Sequence, residues 1–339
     1  MQAVLIRADQ GDSVKRAMIA IVIVGFVLSA LTLGPAWSEA QVQSPRIAVL
    51  GPNEPRFDEV AGGLRQGLRD HGYPEGSVEI LEGRVARGNR ASAQAAVEGF
   101  VRQRVQVLFA IGSELARLAR DVSSDHPIVF LTPGDPVAAG LVSSLANPGR
   151  NITGMTFEYP ELAGKRLQLL KEMIPGMRRV LVLYDPRDAS PRQGVAAAKE
   201  AAQKLGVALV ERETRSREDI MRGLEALKGA NALLAIPGGL TGGYSEEIIR
   251  AANAARRPTM FHARTKGTAE ALASYGTSDV EIARQAARLV AKILKGAKAG
   301  DLPVERPMKL DFVINLKTAK AIGLTIPQPV FFRADQVLQ

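Results

Sequence analysis

The chain has 339 residues, 46 % of them hydrophobic, and carries a formal net charge of +9. That length and apolar content support two domains of ordinary size, each with a buried core. The lack of any cysteine excludes disulfides, thiolate metal sites and a thiol nucleophile, and the dispersed basic residues, with no aromatics interleaved, read as a solvated surface and not as a nucleic-acid face.

Arg7, Lys15 and Arg16 precede an uncharged apolar run from Ala17 to Leu33, followed by Gly34-Pro35 and small residues. This is the pattern of a secretory signal over residues 1–38, with Ala36-Trp37-Ser38 or Ser38-Glu39-Ala40 as cleavage triplets. The competing reading is an uncleaved anchor, because a run of this length reaches the lower limit for a spanning helix. The rest of the chain is expected in the periplasm. Removing residues 1–38 takes three basic and two acidic residues from totals of 44 and 35, leaving +8.

From Arg46 onward short apolar runs alternate with amphipathic helices, twice over. In the first round the strands lie near Ile47–Leu50, Val78–Leu81, Val107–Ile111 and Pro127–Leu131. Val60, Leu64 and Leu68 form the inner stripe of one helix, and Ala93, Val97, Phe100 and Val101 that of the next. A third helix follows Gly112, which lets the backbone turn, and Ser113, which suits a cap. In the second round the strands lie near Val180–Tyr184, Val207–Glu211, Ala232–Ile236 and Pro258–Phe261. Ser190 with Pro191, and Gly206 beyond, mark the start and stop of a helix; Ser216 to Asp219 resembles a capping box; and Ile248, Ala252 and Ala255 form a stripe after Ser245. Both rounds imply parallel sheets wound by right-handed crossovers.

Three extended runs join the rounds: Asn151–Phe157, Ala271–Gly276 and Lys309–Ile314. A helix capped by Ser278 and Glu281 and closed by Gly296 follows the second of them. The expected organisation is an α/β chain with two doubly wound lobes. The first takes residues 45–155 and about 277–308, the second 156–276 and about 315–337. The hinge falls near 151–157, 271–277 and 309–315. Such lobes close on a ligand between them.

In a doubly wound sheet of order 2-1-3-4 the crevice opens beyond the C-terminal ends of the first and third strands. Four loops are therefore expected at the cleft: Gly51–Arg56, Gly112–Glu114, Asp185–Ser190 and Pro237–Ser245. The candidate ligand-binding residues are Asn53, Glu54, Ser113, Asp135, Phe157, Asp185, Pro237 and Tyr275. Ser113 offers a helix start to a carboxylate, Asp135 and Asp185 offer carboxylates to a cation, and Phe157 and Tyr275 offer rings to a planar body. No catalytic residue, metal site or cofactor is expected: His71, His126 and His262 have no metal-ligand spacing, and the nucleophile-elbow and phosphate-loop glycine patterns are absent.

The segments Gly134-Asp135-Pro136-Val137, Asn151-Ile152-Thr153-Gly154, Lys165-Arg166-Leu167, Ser274-Tyr275-Gly276, Phe312-Val313-Ile314-Asn315-Leu316-Lys317-Thr318-Ala319-Lys320 and Arg333-Ala334-Asp335 resemble the periplasmic substrate-binding components of ABC transporters related to the tryptophan and tyrosine uptake proteins. The resemblance spans about Arg46 to Leu338. It implies a type I periplasmic-binding-protein fold and delivery of a ligand to an inner-membrane permease driven by a separate ATPase. The chain is expected to be a monomer and not an enzyme, with a small organic ligand that is amino-acid-like or carboxylated, an aromatic one included. The pocket loops at Ile111–Glu114, Lys266–Ala273 and beyond Ile236 depart from the family pattern, so the resemblance carries the fold further than the ligand. A sensor role at a membrane receptor, or an extracytoplasmic enzyme, are the alternatives.

Overall fold

The computed structural model describes residues 44–86, 88–157 and 160–339; the expected signal segment lies outside them. The first sheet is parallel, with strands β1 (Arg46–Pro52), β2 (Glu79–Val85), β3 (Val107–Ile111), β4 (Ile128–Thr132) and β5 (Ile152–Thr156) in the order β2-β1-β3-β4-β5. Its central strands are continuous apolar runs from Ile47 to Leu50, Val107 to Ile111 and Ile128 to Leu131 because helices cover both faces. The period of two divides them: Ile47, Val49, Val107 and Phe109 pack on one side, while Ala48, Leu50, Leu108 and Ala110 pack on the other. Helices α1 (Pro55–Asp70), α2 (Arg90–Arg102) and α3 (Ser113–Val122) connect these strands. Val60, Leu64 and Leu68 of α1 face one side and Ala93, Val97 and Phe100 of α2 the other.

The second sheet holds β6 (Arg179–Tyr184), β7 (Ala208–Glu213), β8 (Ala232–Ala235), β9 (Thr259–Phe261), β10 (Ala273–Gly276), β11 (Asp311–Asn315) and β12 (Gln336–Leu338), in the order β12-β11-β10-β9-β8-β6-β7. Helices α4 (Pro160–Met173) and α5 (Ala189–Leu205) cover one face through Leu167, Leu170, Val195 and Ala198. The other face is covered by α6 (Arg217–Leu224) and α8 (Ser245–Ala254) through Ile220, Leu224, Ile248 and Ala252. A five-residue helix, α7 (Gly239–Gly243), lies between β8 and α8.

The three extended runs are themselves strands. The first is β5, at the edge of the first sheet; the other two are β10 and β11, an antiparallel pair in the second. Between β10 and β11 the chain returns to the first sheet as α9 (Asp279–Leu294), which packs along α1 and against β4 and β5. The two helices approach so closely that a Cβ on Gly63 or Gly67 would lie 2.2 Å from the carbonyl oxygens of Val280 or Arg284. The chain ends on the second sheet through α10 (Leu316–Ile322), α11 (Gln328–Phe331) and β12.

Helix starts follow local chemistry with two corrections. Ser216, Ser278 and Asn315 accept N–H bonds from Asp219, Glu281 and Thr318, and Gly206 closes α5 in the left-handed region at φ 63°. Ser113, however, caps nothing: Gly112 holds the cap position of α3 at φ 104°, a conformation that favours glycine, and the Ser113 hydroxyl bonds the Thr132 hydroxyl at 3.1 Å. The cap of α5 is Asp188, which accepts from the Ser190 N–H, so Ser190 is a helical residue instead of the cap.

Candidate functional site

Because parallel strands of both sheets end on the same crevice, the loops beyond them enclose one cavity of about 440 Å³. Its first wall comes from the loops after β1, β2, β3, β4 and β5, with Asp279 at the start of α9, and its second from those after β6, β8 and β9.

On the first wall, β1 ends through Gly51 and Pro52, and a Cβ on Gly51 would lie 2.8 Å from Ile111 and Phe57, so the end of the strand is packed shut behind the cavity. Arg56, in the first turn of α1, reaches the opening of α9: its Nε and Nη2 each lie 2.9 Å from Asp279 Oδ1. The same guanidinium stands 5.4 Å from the centre of the Phe157 ring, so one cation ties an acid and an aromatic face together. Beside them α3 begins at Ser113. The first N–H groups of a helix have no partner within it, and here Ser113, Glu114 and Leu115, which carry them, line the cavity.

The second wall is mostly backbone. Pro237 to Gly243 forms the turn into α7, pinned where the Thr241 hydroxyl donates to the carbonyl of Ile236 at 3.2 Å. Tyr244 and Ser245 follow at the start of α8, and His262 to Thr268 adds the segment after β9. His262 is partly open to the cavity, but its Nδ1 is buried without a hydrogen-bond partner. Burial first, then the nearby charges of Arg166 and Arg56, lower its pKa to about 3, so the ring is neutral at ordinary pH. Arg166 is itself 1 % exposed; it donates from Nε to the Tyr275 carbonyl at 2.7 Å and from Nη2 to the His262 carbonyl at 3.4 Å, bracing the wall from behind.

Charge is uneven. Among the described lining residues, Glu54, Glu59, Glu114, Asp188, Glu246, Glu247 and Asp279 stand with two guanidinium groups, Arg56 and Arg90, although Asp279 is paired with Arg56 and Glu247 with Arg217, at 2.9 and 2.7 Å. A chain with a net positive charge thus carries an acidic cleft, which favours a ligand bearing a positive group.

Of the residues expected from sequence, Glu54, Ser113, Phe157 and Pro237 line the cavity, whereas Asn53, Asp135, Asp185 and Tyr275 are not among its lining residues. The reasons are local. Asp135 is exposed, and its Oδ1 accepts the N–H groups of Val137 and Ala138 at 2.8 and 3.2 Å, closing its own turn. Asp185 is claimed by Arg187, at 2.9 and 2.7 Å, whose bonds hold its carboxyl below the usual range. Tyr275 packs edge-on to Phe312 with ring centres 6.5 Å apart. Asn53 is exposed, its N–H bound to the Val85 carbonyl at 2.9 Å. Arg56 closes a loop expected at the cleft but has no role expected from sequence, and Asp279, His262 and the segment after β2 are not expected there. Of the other histidines, His71 follows the last turn of α1 and His126 bonds the Ser123 hydroxyl at 2.8 Å.

Residues 46–338 match the family described as ABC transporter substrate binding protein. The chain is 26 % identical over 271 residues to a tyrosine-binding protein of Clostridioides difficile (strain R20291), covering 80 % of this chain and 78 % of that one. Among solved structures, a conserved domain protein from Vibrio cholerae is 32 % identical, with a TM-score of 0.78 over 87 % of this chain and all of that one. An ABC domain from Streptococcus pneumonia in complex with L-Trp is 23 % identical, with a TM-score of 0.79 over the same shares, a likeness of fold. These neighbours share the type I periplasmic-binding architecture of two lobes described above.

Proposed function

Because the chain belongs to the ABC transporter substrate-binding protein family, we propose that it captures an amino acid between its two lobes outside the cytoplasmic membrane and presents it to a permease driven by a separate ATPase. The observation that carries this reading is the cavity of about 440 Å³ enclosed by loops from both sheets, a size that suits one small organic molecule. The ligand carboxylate meets the N–H groups at the start of α3, where the helix dipole favours negative charge. The ammonium group meets the acidic lining, and the side chain lies against Phe157 or Tyr244. The tyrosine and tryptophan of the two relatives named above support an aromatic side chain at that position.

Thermal-shift screening against the proteinogenic amino acids, aromatic acids, sugars and divalent cations tests the reading. A true ligand at 100 times its dissociation constant raises unfolding free energy by about 2.7 kcal/mol. The expected result is a shift with aromatic amino acids. A shift confined to sugars or metal ions would overturn the ligand class.

A further inference from the structure

Across the mouth of the cleft, the turn after β4 in the first lobe meets the start of α5 in the second. A Cβ placed on Gly134 would lie 2.7 Å from Ser190 Cβ and 3.0 Å from its Oγ, inside the separation at which non-bonded carbons attract. Gly134 is not among the glycines with positive φ, so its own backbone accepts a side chain and only the opposite lobe excludes one.

Both sides of the contact are stiff. The Gly134 N–H donates to Thr132 Oγ1 at 3.3 Å, and the Gly134 carbonyl accepts from Thr156 Oγ1 at 2.8 Å, which ties the turn to the last residue of β5 beside the crossing between lobes. Asp135 closes the turn on its far side. Opposite, Asp188 caps α5 by accepting the Ser190 N–H at 3.1 Å, and the Asp185–Arg187 pair holds the preceding loop. Pro133 and Asp188, the neighbours of the contact, line the cavity; Gly134 and Ser190 do not.

From this geometry, and resting on the reading of the protein as a two-lobed solute trap, we propose that Gly134 and Ser190 form the closing contact of the trap, with Gly134 a positioning residue whose missing side chain lets the lobes meet around the ligand. A side chain at 134 holds the lobes apart, so the closed population falls and the ligand leaves faster, although no group that touches it has changed. The same contact gives Asp135 and Asp185 their work: each shapes one of the two loops that meet.

Two arms test the proposal. The first is calorimetric titration of L-tyrosine into wild type, Gly134→Ala, Ser190→Gly and the double variant. Gly134→Ala is expected to bind about tenfold weaker or more, with the melting temperature of the unliganded chain unchanged. Ser190→Gly removes both atoms that crowd the new methyl, leaving Ser190 Cα at 3.7 Å, so the double variant is expected to recover to within about threefold of Ser190→Gly alone. A loss in Gly134→Ala that the double variant does not recover would assign the effect to the turn itself and overturn the proposal. The second arm needs no ligand. The chain has no cysteine, so Gly134→Cys/Ser190→Cys offers one disulfide, within reach of the usual Cβ separation of about 3.8 Å after slight opening. Mild oxidation is expected to lock the lobes, read as loss of both free thiols in a monomer. Failure to cross-link would overturn the proposal. Cross-linking in a chain whose wild type does not bind L-tyrosine would uphold the closing contact and refute tyrosine as the ligand.

Discussion

The first wall of the cleft is braced by side-chain charge, Arg56 against Asp279 and Phe157, whereas the second is built of backbone from Pro237 to Gly243 and held from behind by buried Arg166. Both rise from the same kind of sheet edge, so the difference is one of division of labour. The charged wall presents fixed groups to a ligand, and the backbone wall allows close approach. A fixed wall needs its counter-charges satisfied, while a backbone wall needs a rigid support outside the cavity.

The largest expected effect comes from removing that support. Arg166→Met takes a buried donor from the carbonyls of Tyr275 and His262 and is expected to cost about 3 kcal/mol or more in urea unfolding; a cost below about 1 kcal/mol would show that the second wall stands without it. Next is Arg56→Ala, which strands the Asp279 carboxylate, its side chain only 7 % exposed. The expected cost is about 2 kcal/mol of stability together with a loss of affinity for the ligand found by screening, and intact affinity would deny the first wall its role.

A pH series separates the walls further. His262 has a folded pKa of about 3 against an unfolded value near 6.5, so between those values the unfolded chain binds the extra proton and stability falls as pH falls. The loss begins below about pH 6.5 and approaches about 1 kcal/mol per pH unit toward pH 4. His262→Phe is expected to flatten that part of the profile relative to wild type in denaturant midpoints at pH 7, 5.5 and 4.5; parallel profiles would contradict the assignment. Asp185 adds to the acid side in both chains, since a carboxyl held low by Arg187 contributes stability that is lost as pH drops through its folded value. The smallest expected effect is Asp135→Ala, about 1 kcal/mol in thermal unfolding from two N–H groups that lose their acceptor.

The two walls also differ in how much of them the sequence discloses. Alternating strands and helices locate loop after loop at the sheet edge, and the glycine at 112 marks a turn that its φ of 104° demands. Ser113, Phe157 and Pro237 are visible for that reason. Asp135 and Asp185 do not line the cavity, and an acid that binds its own turn looks, in sequence, like an acid left free for a ligand. The pairing of Arg56 with Asp279 escapes notice because 223 residues separate them and only the packing of α1 on α9 brings them together. His262 escapes because β9 has three residues and no motif follows it. Similarly, Asn151–Phe157, Ala271–Gly276 and Lys309–Ile314 read as extended, yet their membership of the two sheets depends on pairing with distant strands.

The central claim, that a small solute is held between the two walls, is tested most directly by a crystal structure of the chain grown with L-tyrosine. One molecule is expected in the cavity, its carboxylate at the N–H groups of Ser113 and Glu114, its ammonium among the acidic residues and its ring beside Phe157 or Tyr244. An empty cleft at saturating tyrosine, or a molecule bound outside it, would contradict the account.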